Sequence, residues 1–198
     1  MFKFMFRRSL TGDLTRLSRR VSLLAFVVGA VLVRPAYAQM LPPVPAQGGA
    51  TVLARAAQTL GIRQCYSAID QVSQRVLTGS QRQDVVLDWD HNHADSSPFF
   101  SLTGFSEPGP AEVLSLTTVP NINGTCAVLA ERISASPLPC PDVARRELVG
   151  YHGTPLVPSV MVYTTPARPR ETVTLVENAH SCVLVRRQVE YGWPGVTK

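Results

Sequence analysis

The sequence predicts an α+β fold, in which an N-terminal amphipathic helix packs on an antiparallel sheet of six or seven strands and two disulfides staple the whole. Three observations carry that prediction. The apolar period is 3.6 over residues 51–77 and close to 2 over most of the chain beyond them. The chain holds four cysteines, an even number, and none are spaced C-x-x-C. The part beyond residue 38 is long enough to enclose one core of sheet and helix layers.

The first 38 residues are expected to be an export signal removed from the mature protein. Lys3, Arg7, Arg8, Arg16, Arg19 and Arg20 form a basic start, residues 21–33 are an uncharged apolar run, and Ala36-Tyr37-Ala38 has the small-x-small pattern cut by signal peptidase. The run is too short for a spanning helix, which takes about 20 residues, so no transmembrane span is expected in the mature chain. Ser18-Arg19-Arg20-Val21-Ser22-Leu23 resembles the twin-arginine export signal, with Ser22 where an aromatic is usual. The resemblance implies export in a folded state; a general secretory leader implies export unfolded.

Removing the leader takes away seven basic residues and one acidic one. The precursor's 19 Lys and Arg and 14 Asp and Glu become 12 and 13, so its formal charge of +5 falls to about −1. The basic balance belongs to the leader. Nucleic-acid binding, which needs a concentrated basic surface, is excluded as a function class.

Residues 39–50 are rich in Pro and Gly and form a flexible arm; residues 51–198 form the α+β domain. Within 51–77, Cys65, Ile69, Val72 and Val76 share one helix face, while Gln64, Ser67, Gln71, Gln74 and Arg75 lie off it. Gly61 should kink or split this helix, and Gly79 should stop it. Val85, Leu87 and Trp89 then alternate with Val86, Asp88 and Asp90, which marks a strand with one buried face. Strands are expected at 98–105, 113–119, 125–133, 159–165, 172–177 and 182–191, with a turn at residues 120–124. Residues 134–158 hold five prolines and read as an excursion across the sheet with one short helix opening at Pro141 and Asp142. No internal repeat is evident.

Four cysteines in an exported chain read as two disulfides. Of the three pairings, Cys126 with Cys140 and Cys65 with Cys182 are expected, the first closing the Pro-rich excursion and the second tying the helix to the last strand.

The densest chemistry lies at the tip after Trp89, where Asp88, Asp90, His91, His93 and Asp95 crowd together. If the strand ran on through His93, both imidazoles would project to one side and could share a Zn or Cu ion with Asp88, Asp95 or His152. A solvated hairpin tip explains the same residues. The EF-hand pattern fails, because His93 stands where Gly is needed and Phe99 where Glu is needed. No G-x-S-x-G elbow occurs, and His152 and His180 have no triad spacing. Phe99 and Phe100 are adjacent, so one must leave the core, either as an exposed binding patch or covered by the Pro-rich excursion. Arg168 and Arg170 form a basic, proline-stiffened turn that could meet an acidic partner or a phospholipid head group; a solvated hairpin tip explains the same residues.

These features lead to an exported, periplasmic or secreted binding or envelope accessory protein without catalytic activity or cofactor, whose partner is an envelope or secreted protein. Two alternatives stand beside it: a metal-binding protein or metal-dependent hydrolase using His91 and His93, and an inhibitor of a secreted enzyme that inserts the Arg168/Arg170 turn.

Overall fold

The computed structural model describes residues 49–106 and 109–194; the expected export signal at residues 1–38 and most of the expected arm at 39–50 lie outside them. The chain is α+β, with an eight-stranded antiparallel sheet, three helices and two disulfides. The sheet has one strand more than the upper expectation, and the helical layer is not confined to the N-terminal segment.

The helix expected at 51–77 is split, as Gly61 suggests. Helix α1 (Val52–Thr59) begins at Thr51, whose hydroxyl accepts from the Ala54 N–H. It ends before Gly61, which takes the left-handed conformation at φ +82°. Helix α2 (Tyr66–Leu77) comes next and buries Ile69 and Val72. The two are tied by a 2.7 Å hydrogen bond between the Thr51 and Ser73 hydroxyls.

Strands β1 (Arg82–Trp89), β2 (Phe99–Ser106), β3 (Glu112–Pro120) and β4 (Cys126–Ser136) form a meander, each pairing with the next. Helix α3 (Cys140–Glu147) succeeds it, with Pro141 and Asp142 in its first turn and Arg145 and Arg146 in its last, which matches the helix dipole. A second meander completes the sheet: β5 (His152–Val157), β6 (Val160–Thr164), β7 (Glu171–Asn178) and β8 (Ser181–Trp193). The meanders join where β4 pairs with β8, giving the order β1-β2-β3-β4-β8-β7-β6-β5.

The eighth strand is β5, inside the stretch expected to be an excursion. Pro155 and Gly153 hide it from a sequence reading. At the sheet's edge the ladder needs bonds on one side only, so a proline is tolerated there.

The order reveals a repeat of architecture that sequence comparison within the chain does not. In each half a helix, α2 or α3, leads into a four-stranded meander, and in each the cysteine at that helix's start bonds the one at the start of the last strand. The pairs are Cys65–Cys126 and Cys140–Cys182, with Cα separations of 5.7 and 4.9 Å. Val128 and Leu184, each two residues beyond its strand cysteine, are both buried.

The expected pairing of Cys126 with Cys140 and of Cys65 with Cys182 is therefore corrected. Because β4 runs unbroken for 11 residues, Cys126 and the segment leading to Cys140 lie at opposite ends of a strand roughly 30 Å long. Antiparallel pairing places Cys182 beside Ser136, at the far end from Cys126. Each bridge is thus local to its half.

All three helices lie on one face of the sheet. Under α1 and α2 the core gathers Leu53, Ile69, Leu77, Phe99, Leu114 and Leu116; under α3 it gathers Val143, Leu148, Val173, Leu175 and Leu184. Among the described residues no helix is long and apolar enough to cross a membrane.

Candidate functional site: the uncovered sheet face

Side chains alternate across a strand, so every second residue of the eight strands points away from the helices. Registers fix how these residues line up. One row crosses the sheet as Val86, Leu102, Ser115, Glu131, Arg187, Thr172, Thr164 and His152. The next row on one side contains Val113, Ile133, Val185, Thr174 and Val162, and beyond it stand Val183, Val176 and Val160. On the other side stand Phe100, Thr117, Leu129 and Val189.

Among the described residues no helix covers this face. Val86 is 70 % exposed, and Phe100 and Leu102 are each 47 % exposed. Antiparallel sheets with one wet face normally carry polar residues on it. Here valine, isoleucine, leucine and phenylalanine dominate, softened by Ser and Thr. On the inner strands the sole charged residues of this face are Glu131 and Arg187, opposite each other on β4 and β8 with Nε to Oε1 at 3.7 Å.

Phe99 and Phe100 divide as strand alternation requires. Phe99 is fully buried under the helices, and Phe100 stands on the open face beside Asp88. The Pro-rich stretch does not cover Phe100, because it forms α3 and the edge strand β5 instead.

The acidic and histidine-rich tip is dispersed. Strand β1 ends at Trp89, so His91 and His93 are not consecutive same-face residues of a strand. His91 packs against Trp89, ring centroids 4.3 Å apart. His93 Nδ1 lies 3.2 Å from Asp90 Oδ2, while Asp90 Oδ1 accepts from the Asn92 N–H at 2.8 Å. That backbone bond first, then the His93 ring, holds the Asp90 carboxyl below its ordinary range. Asp95 is engaged elsewhere: its Oδ1 accepts from the backbone N–H groups of Arg63 and Gln64 at 2.6 and 2.7 Å, fixing the turn that leads into α2. Asp88 lies on the open face of β1. Among the described residues no three His, Cys, Asp or Glu side chains group as a metal site.

The Arg168/Arg170 turn is compact and internally neutralised. Arg168 lies 3.4 Å from Glu171, and Arg170 pairs with Glu190 on β8. Glu171 also accepts a 2.5 Å bond from the Tyr151 hydroxyl.

On the helix side a cleft of ≈ 100 Å³ lies between α2 and the β4–β8 seam, lined by the apolar Val72, Val76, Leu114 and Ala130 and by Arg75, Arg132, Glu171, Arg186, Arg187 and Gln188. It is smaller than the few hundred Å³ usual for a small-molecule site. Arg132 and Arg186 are held by Glu112 and Glu147. A wider groove of ≈ 680 Å³ at the seam's end is walled by Ser67, Gln71, Arg170, Glu190 and Trp193. Its Ser67 hydroxyl donates to the Pro194 carbonyl at 2.9 Å, and its Glu190 is paired with Arg170.

Sequence reasoning missed the open face as a whole. Its residues come from eight strands whose order the sequence does not print, although Phe100 was a local sign of it. No protein-family model matches the chain, and neither the curated proteins nor the solved structures compared contain a match.

Proposed function

We propose that this chain is an exported, disulfide-stabilised binding protein that works as an interaction module or envelope accessory factor, in the periplasm or outside the cell, without catalytic activity of its own. The observation that carries the reading is the uncovered, largely apolar face of the eight-stranded sheet. Monomeric proteins rarely expose a contiguous apolar patch beyond a few hundred Å² unless something docks there. Two disulfides support an oxidising compartment, and the basic, apolar leader supports export.

The test is photo-crosslinking in exporting cells, with a benzophenone side chain replacing Leu102 on the open face or Ala144 on α3. The reading expects macromolecular adducts from position 102 and few from 144. Adducts confined to the helix side, or turnover of an envelope substrate abolished by one substitution there, would overturn it.

A further inference from the structure

We propose that the occupant of the open face is a second copy of this chain, so that two sheets stack face to face about a two-fold axis running along the β4–β8 seam. The inference rests on the proposed function and names its partner. Three observations support it.

The first is charge. Glu131 and Arg187 sit side by side at the middle of the face, one on each strand of the seam. Rotation about an axis along the seam exchanges the two sides, laying β4 of one copy over β8 of the other. Each Glu131 then meets the other copy's Arg187. An in-plane axis across the strands would instead set Glu131 on Glu131 and Arg187 on Arg187. The charges thus select one of the two ways a sheet can stack on itself, and an isologous contact requires this self-complementarity. Buried in the stack, four alternating charges contribute orientation more than affinity.

The second is the match along the seam. At the level of Ile133 and Val185 the rotation places Ile133 over the other copy's Val185; at the level of Leu129 and Val189 it places Leu129 over Val189. Aliphatic side chains meet on both sides of the charged row, as the inner layer of a two-sheet sandwich requires.

The third is size. Six inner strands about 4.8 Å apart, each with about eight residues rising ~3.3 Å, present roughly 750 Å², close to the ~800 Å² per partner of a standard specific interface.

The experiment is sedimentation equilibrium on the full, oxidised chain, on the Glu131→Arg and Arg187→Glu variants, and on their equimolar mixture. Unchanged far-ultraviolet circular dichroism and intact disulfides serve as the fold control. The parent chain is expected to be a dimer. Each variant alone should dissociate, its affinity at least about 100-fold weaker, since like charges across an interface cost several kcal/mol. The mixture should recover a heterodimer, because one chain then presents two cations and the other two carboxylates. A purely structural role for the ion pair inside one chain cannot produce that recovery. Should the reversals impair folding, Leu102→Lys, on an exposed strand position, must weaken the dimer while leaving the fold intact. A monomeric parent chain, or a dimer indifferent to all three substitutions, would overturn the proposal. If a monomeric chain still yields adducts of foreign mass from position 102, self-association falls and the binding function stands; without adducts, both fall.

Discussion

Glu131 on β4 and Arg187 on β8 stand opposite each other across the seam that joins the two meanders, with Nε to Oε1 at 3.7 Å. Both side chains remain open to solvent, so within a single chain the pair should stabilise weakly, by about 0.2 to 1 kcal/mol. Glu131→Gln should therefore lower unfolding free energy by less than about 1 kcal/mol in urea titration under dissociating conditions. A larger loss would mean that the seam itself depends on the pair.

The disulfides should be equivalent in effect because they are equivalent in place. Cys65–Cys126 and Cys140–Cys182 span 61 and 42 residues, and the chain-entropy model gives about 4 kcal/mol for each. Replacing either pair with Ala is expected to cost about 2 to 5 kcal/mol. Non-reducing peptide mapping should show Cys65 linked to Cys126 and Cys140 to Cys182; a Cys65–Cys182 peptide would refute the two-half arrangement.

Asp95 should matter for stability where its histidine neighbours do not. Its carboxylate holds the Arg63 and Gln64 N–H groups, so Asp95→Ala should destabilise by about 1 to 2 kcal/mol. His91→Ala and His93→Ala, at exposed loop positions, should change the melting temperature little. Stoichiometric Zn or Cu after native purification, lost in the double histidine variant, would restore the metal reading of the tip.

Tyr151 links the segment after α3 to β7 through its bond to Glu171. That acceptance by a carboxylate, then burial, raises the phenol's pKa above its ordinary 10.0. The folded state thus holds the proton more tightly. The contribution is fully present below the unfolded pKa of about 10 and is lost as pH rises through the folded value. Tyr151→Phe should flatten the stability profile above about pH 10 and cost about 1 kcal/mol at neutral pH. An unchanged alkaline slope would count against this bond.

Thr103 and Thr118 are fully buried beneath α1 and α2, and their hydroxyl oxygens have no hydrogen-bond partner. Valine of similar shape removes the cost of an unsatisfied buried group. Thr118→Val should raise unfolding free energy by about 1 kcal/mol; a loss would point to an ordered water serving that oxygen.

The sequence by itself determined the local elements, because local periodicity and turn chemistry act over a few residues. Cys65, Ile69, Val72 and Val76 marked the buried side of α2, Gly61 marked the break before it, and Val85, Leu87 and Trp89 marked the inward side of β1. Pro155 concealed β5, since a proline in a strand is tolerated only where an edge leaves a ladder bond unneeded. Tertiary structure decided which ends of those elements meet. The length of β4 and its antiparallel pairing with β8 set the disulfide partners, while the strand order gathered Phe100, Leu102, Ile133, Val185 and the Glu131–Arg187 pair onto one face. Those residues are scattered over nearly ninety positions of the chain. Only hydrogen-bond register between distant strands, which no local pattern encodes, brings them into one surface.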